Sequence, residues 1–392
     1  MSEEKTARCE CIIAHPTEAK FMVVHHDGGQ WAPPTVMLPE DRNFSRNYSR
    51  ISAGIFETYG MKVGVLRHLA QTPGYHCVEL EMLREGAARP LKAVWAGREE
   101  YFKVRDPARG QGDAFTQWLE TSAQQSIPAE RPPWETKGWL KRAAGWIDEQ
   151  LSRHHLRMTS DPEQYKVWQS SAVLRVETTG GRHWFKAAFP GAVNEAGLTR
   201  FLAGSWPELV PRPLAVNRKH DWQLNPDYGL PAGAADHPPD YAPAIQAMAR
   251  LQIESTAYHD DWKRLACADF KPARLVAFMQ ELLAADSELW SGDEALVKAQ
   301  ASGLERLFDR LSADSERLAS YSIPVTLVHA DFRAGNLFPR DQGFWLVDWD
   351  GAMVSHPFFS LVHFLKALEG TDAAGGLAIP GRLDKPESLR LK

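Results

Sequence analysis

This chain of 392 residues carries little cysteine: Cys9, Cys11, Cys77 and Cys267, with no Cys-x-x-Cys pair. That pattern excludes a cysteine-type zinc or redox motif and points to a reduced, cytoplasmic interior. No apolar run approaches about 18 uninterrupted residues, so no membrane span is expected. The opening "MSEEKTARCECIIAH" has no positive region followed by a long apolar core, so no secretory signal is expected either. Positive charge is not in excess, since 45 basic residues face 50 acidic ones for a net −5. A nucleic-acid partner would need a clustered basic face, and none is expected. Internal repeats are absent, as is a Gly-x-Gly-x-x-Gly phosphate loop.

What is present is an ordinary globular balance of 44% apolar and 24% charged residues. The length exceeds one typical core and implies two domains with a connector. Residues 7 to about 105 alternate short β-like runs ("CECIIAH", "KFMVVHH", "VGVLRHLAQ", "CVELEML", "KAVWAGREEYFKV") with one helical stretch, "SRNYSRISAGIFETYG". This is an α+β pattern. "DPARGQGD" and "SIPAERPPWE", around a short helix "AFTQWLETSAQ", mark a boundary rich in Gly, Pro and charge. The spacing of Trp139, Ala143, Trp146 and Leu151 predicts an amphipathic connector helix. A hairpin turning at Gly180-Gly181 follows, then a helix capped by Asn194, a strand in "HDWQLNPDYG" and mostly helix over 240–320.

The stretch "VTLVHADFRAGNLFPRDQGFWLVDWDGAM" (325–353) places His329, Asp331, Asn336, Asp348 and Asp350 beside two short apolar strands. Carboxylates in such company are costly to bury unless something pairs with them. Singly, Asp331 reads as a turn former, Asn336 as a cap and Asp348 as a solvated strand end. Together they resemble the catalytic core of the aminoglycoside phosphotransferase family, relatives of protein kinases with small-molecule substrates. The family's His-Gly-Asp, four residues, Asn, then Asp-Trp-Asp/Glu stands here as His329-Ala330-Asp331, Asn336 and Asp348-Trp349-Asp350. The chemistry agrees with the match: phosphoryl transfer needs a carboxylate that positions a hydroxyl and oxygen ligands for Mg²⁺ at the phosphates. The resemblance implies Asp331 as base, His329 as a brace, Asn336 and Asp348 as metal ligands, and Asp350 as a supporting group. Ala330 replaces the usual Gly and would strain the loop if that position needed positive φ.

Upstream, "VWQSSAVLRVETTGGRHWFKAAF" resembles the first hairpin of the family's small lobe, ending its second strand near Lys186. Glu195, nine residues on, opens the helix that carries the lysine's ion-pair partner in this family. The resemblance therefore implies nucleotide contacts for Lys186 and Glu195, for Ser170 and Ser171 at a shorter phosphate-covering turn, and for the backbone near Leu224 at the hinge. Asp227-Tyr228-Gly229 is similar to the family's ending of that hinge. The likeness covers about 160–369, with Ser360 where an Asp is common and a tail too short for the family's usual further helices.

The segment "LPEDRNFSRNYSRISAGIFETYGMKV" is similar in layout to a Nudix box, but its carboxylates are gone. The motif's positions fall on Pro39, Ser45, Ala53-Gly54 and Glu57-Thr58, with Gly60 and Met61 keeping the ending. Nudix hydrolysis needs several carboxylates around divalent metal, and one surviving Glu57 does not supply them. The resulting fold expectation is α+β. A degenerate Nudix-like sheet-and-helix domain (1–125) and a linker helix (126–160) precede a two-lobed kinase-like domain (161–229 and 230–392).

The function implied is an ATP- and Mg²⁺-dependent phosphotransferase acting on a small-molecule hydroxyl, with neither a nucleic-acid nor a membrane partner. A non-catalytic ligand-binding scaffold built from two inherited enzyme folds is the alternative; a metal-dependent hydrolase fits the single His and the Lys–Glu pair less well. Nine acidic against four basic residues over 281–318 read as a solvated helix face, or as an acidic wall for a cationic substrate.

Overall fold

The computed structural model describes residues 6–15, 17–18, 20–25, 31–39, 48–84, 93–104, 114–115, 118, 131–190, 193–285 and 294–368. The chain is α+β and divides into two compact units: Met1–Phe189 with Trp222–Asp227, and Pro190–Asp221 with Tyr228–Lys392.

In the first unit, β1 (Thr6–Ile13), β2 (Lys20–His25), β3 (Trp31–Ala32) and β4 (Thr35–Pro39) precede α1 (Tyr48–Tyr59). β5 (Lys62–Thr72), β6 (Tyr75–Arg84) and β7 (Ala93–Gly97) follow. One sheet runs β4-β1-β6-β5, with β1 and β6 parallel, and a second runs β3-β2-β7. Phe21 closes the space between them, edge-on to Tyr101, Phe115 and Trp118. The run "KAVWAGREEYFKV" is a strand only as far as Gly97; α2 (Arg98–Val104) takes its second half. The Glu100 carboxylate reaches back to the Gly97 N–H at 2.8 Å, a capping-box bond that starts a helix where apolar alternation suggests a strand. Most of the expected short helix at "AFTQWLETSAQ" and the tail after Leu368 lie outside the described residues.

The expected connector helix is α3 (Trp139–Arg153), and it is packed rather than free: Trp139, Ala143, Ile147 and Leu151 are buried. At Gly64 of β5 an added Cβ would sit 2.9 Å from Leu140, so this strand and α3 meet as closely as glycine permits. β8 (Glu163–Val167), β9 (Ser171–Thr178) and β10 (Gly181–Ala188) form an antiparallel set. β11 (Ala215–Asn217) belongs to the second unit, while β12 (Trp222–Pro226) returns to the first and pairs with β10. Trp139 and Trp146 meet Phe185 and Trp222 edge-on, pairs that contribute roughly 0.5–1.5 kcal/mol each. Gln164 on β8 is buried, and its amide exchanges two 2.8 Å hydrogen bonds with the peptide of Val65 on β5. Lys62 and Asp161 add an ion pair at the same junction.

The second unit begins with α4 (Glu195–Ser205), followed after β11 by α5 (Ala242–Ser255), α6 (His259–Arg264), β13 (Ala268–Asp269), α7 (Pro272–Ala285) and α8 (Glu294–Ser320). The stretch 325–353 supplies four short strands rather than two: β14 (Thr326–Val328), β15 (Leu337–Pro339), β16 (Phe344–Leu346) and the start of β17 (Met353–Ser355). α9 (Phe358–Leu368) closes the described chain. Its core joins Leu198 and Leu202 of α4 to Met248 and Leu251 of α5, with Leu327, Leu346, Trp349 and Phe364. β15 and β16 pair antiparallel through a turn whose Gly343 has φ 83°, so the hairpin brings the residue after Asn336 back beside the residues before Asp348. Among the described residues, no helix is long and apolar enough to cross a membrane.

Candidate active site

The loop between β14 and β15 is organised around His329, which is 1% exposed. Its Nε2–H donates to the Val347 carbonyl at 3.0 Å, and its Nδ1 accepts from the Asp331 N–H at 3.2 Å. Those two partners fix the neutral tautomer with the proton on Nε2. The ring stands edge-on to Trp349 at 4.6 Å. Ser360 on α9 holds the same peptide from both sides: its hydroxyl accepts from the His329 N–H at 3.0 Å and donates to the His329 carbonyl at 3.2 Å. Ser360 therefore fastens the loop with its hydroxyl. Ala330 does not have positive φ, so it brings no backbone strain.

Asp331 projects from this loop, 36% exposed, and three side chains converge on its carboxylate. Arg333 Nε lies 2.8 Å from both oxygens. His363 Nε2 on α9 lies 3.2 Å from Oδ1, and Asn336 Nδ2 lies 2.8 Å from Oδ2. The same Asn336 nitrogen donates to the Asp331 carbonyl at 2.9 Å, which leaves Asn336 Oδ1 as the side-chain atom suited to a cation.

Asp348 follows β16 with φ 72°, a left-handed conformation that costs a non-glycine residue roughly 1–2 kcal/mol. Such outliers persist where their surroundings over-determine them and cluster at functional sites. Glu195 is buried at the start of α4, and its Oε1 accepts from the Trp349 N–H at 3.1 Å. Carboxylate oxygens of Glu195, Asp348 and Asp350 lie within 4.8 Å of one another. Three carboxylates this close repel unless positive charge compensates them, and an all-oxygen set suits a hard divalent cation.

The position of Glu195 is set by capping. Asp221, itself at φ 52°, accepts from the Glu195 and Ala196 N–H groups at 3.1 and 2.7 Å, and Asn194 accepts from Gly197 N–H at 2.8 Å. Sequence reasoning reaches Asn194 but misses Asp221, Arg333 and His363. Ser360 and His363 are three apart on a helix whose only other polar residue is Lys366 in its last turn, a spacing that puts both on one face and is the available signal.

The other expected site residues belong to the first unit. Lys186 is on β10 opposite Gln223, and Leu224 is a fully buried residue of β12 opposite Phe185. Ser170 and Ser171 close the β8–β9 turn, their carbonyls accepting from Phe189 and Trp168. Glu57 is exposed on α1.

The model of the phosphotransferase enzyme family matches residues 79–386. The chain belongs to that family. It is accordingly a phosphotransferase of the small-molecule kinase type. None of the curated proteins matches. Among solved structures it is similar to macrolide 2′-phosphotransferase type I, at 15% identity over 60% of this chain and 83% of that one, TM-score 0.37. It is also similar to choline kinase LicA from Streptococcus pneumoniae, at 14% identity over 59% and 75%, TM-score 0.39. A third similarity is to a NUDIX hydrolase from Nitrosomonas europaea, at 12% identity over 32% and 76%, TM-score 0.25.

Proposed function

We propose that this phosphotransferase uses ATP and Mg²⁺ and transfers the γ-phosphoryl group to a hydroxyl of a small molecule such as an aminoglycoside, a sugar or an amino alcohol. The observation that carries the reading is the Asp331 carboxylate, half-exposed yet oriented by Arg333, Asn336 and His363. Asp331 orients the acceptor hydroxyl and takes its proton as the new P–O bond forms. His329 holds the loop in register through Val347 and Ser360.

The oxygens of Asn336 and Asp348 fit Mg²⁺, which when bound neutralises phosphate charge. Glu195 and Asp350 enlarge the negative field around Asp348. Lys186 is assigned to the nucleotide phosphates, with Ser170, Ser171 and the backbone near Leu224 as further nucleotide contacts.

Isothermal calorimetry of ATP binding, with and without Mg²⁺, tests the reading on the wild type and on Asp348→Asn. Mg²⁺-dependent binding that disappears in the variant supports it and justifies screening small-molecule hydroxyls. No binding to the wild type, or equal Mg²⁺-dependent binding to both proteins, overturns it.

A further inference from the structure

A cavity lies within the second unit, on the face of α4 turned away from Glu195. Gly197, Arg200, Phe201 and Gly204 fall at i, i+3, i+4 and i+7, so they share one helix face. Glu195, two residues before Gly197, is rotated about 200° from it and bonds to Trp349 instead. Over the Gly197–Gly204 face opens a cavity of about 630 Å³, completed by Arg218 and by Asp261, Arg264 and Leu265 at α6. The volume is that of an ordinary small-molecule pocket.

Its floor is apolar. Phe201 is packed edge-on against Tyr258 and Trp262, and Leu265 lies beside it. At Gly204 an added Cβ would meet nothing within 4 Å, so the helix carries a glycine, a poor helix former, over open space. The charge around the floor is positive. Three arginines and one aspartate line it, and the aspartate, Asp261, is paired with Arg264. Among the described residues, Arg200 and Arg218 have no ion-pair partner. A net excess of two positive charges (three arginines less one aspartate) runs against a chain whose net charge is −5. Guanidinium forks suit phosphate and carboxylate oxygens in particular.

We infer that this cavity binds a small molecule carrying a phosphate or carboxylate group on a flat apolar body. The body lies over Phe201 and Leu265, and the anionic group meets Arg200 and Arg218. This site goes beyond the proposed reaction and does not depend on it. It also touches the support of α4, because the Arg218 carbonyl accepts from the side chain of Asn194, the N-cap of that helix.

The test uses the full chain and 1-anilinonaphthalene-8-sulfonate, a flat apolar probe with one anionic group, titrated by fluorescence with inorganic pyrophosphate as competitor. Arg200→Ser and Arg218→Ser are each expected to weaken probe binding about tenfold, the loss of one charge-assisted contact. Asp348→Asn is expected to leave probe binding unchanged. A fourth variant, Gly204→Leu, improves helix propensity while filling the cavity; it is expected to raise the Tm and abolish the probe signal that pyrophosphate displaces. Equal affinity across the wild type, both arginine variants and Gly204→Leu overturns the inference. A signal lost in Asp348→Asn but kept in the arginine variants also overturns it, by placing the probe at the candidate active site.

Discussion

His363 Nε2 stands 3.2 Å from Asp331 Oδ1, although 32 residues separate the two in the chain. With Arg333 and Asn336 it makes the carboxylate of Asp331 a held group rather than a free one. Partners that orient metal-ligating side chains typically cost 10- to 100-fold in activity when removed, and a base held by neighbouring side chains is expected to respond on the same scale. His363→Leu is therefore expected to lower turnover by about that factor with the nucleotide KM unchanged. His363→Gln, whose amide can donate to the same oxygen, should recover most of the loss. Turnover in the leucine variant equal to wild type would show that the contact is incidental.

Asp331→Ala removes the group assigned to the acceptor proton. The expected loss in turnover is roughly 10²- to 10⁴-fold, the range for a general base. Binding of nucleotide, read by calorimetry, should survive the change. Unaltered turnover with a competent acceptor would remove Asp331 from the mechanism.

Much of this arrangement is legible in the sequence, and the rest is hidden for identifiable reasons. His329, Asp331, Asn336, Asp348 and Asp350 stand at fixed local spacing in one stretch, and the β15–β16 hairpin that connects Asn336 to Asp348 is itself local. Asn194 is legible as a cap because capping is a rule about neighbouring residues. Asp221 caps the same helix from 25 and 26 residues away, which no local pattern encodes. Arg333 stands inside the motif stretch, but a lone arginine in a loop carries no spacing that announces its carboxylate. The junction of Gln164 with Val65 spans 99 residues and is equally silent. In α2 a strand-like alternation yields to one side-chain bond from Glu100 to Gly97. Short apolar runs are ambiguous between strand and helix until such a bond decides.

Ser360→Ala strips two hydrogen bonds from the buried peptide of His329, one at its N–H and one at its carbonyl. A buried polar group left without a partner costs about 1–3 kcal/mol. A fall in unfolding free energy of at least that size is expected in urea titration, with turnover lowered because the same peptide carries the loop to Asp331. Stability equal to wild type would mean that solvent replaces the hydroxyl.

His68, on β5 of the first unit, gives a pH signature independent of the active site. Burial, reinforced by the nearby His76, lowers its pKa from about 6.5 to about 4. The two rings lie 5.5 Å apart. Between these values the unfolded chain binds a proton that the folded chain refuses, so stability falls as pH falls. The contribution of neutral His68 is complete above about pH 6.5 and is lost progressively toward pH 4. Carboxylates titrate in the same window, so the informative quantity is the difference between wild type and His68→Gln, which has no proton to gain. The Tm of the variant should decline less steeply than that of wild type from pH 7 to pH 4.5, by differential scanning calorimetry. Parallel curves would mean that His68 is protonated alike in the folded and unfolded chains, and burial would then not govern its charge.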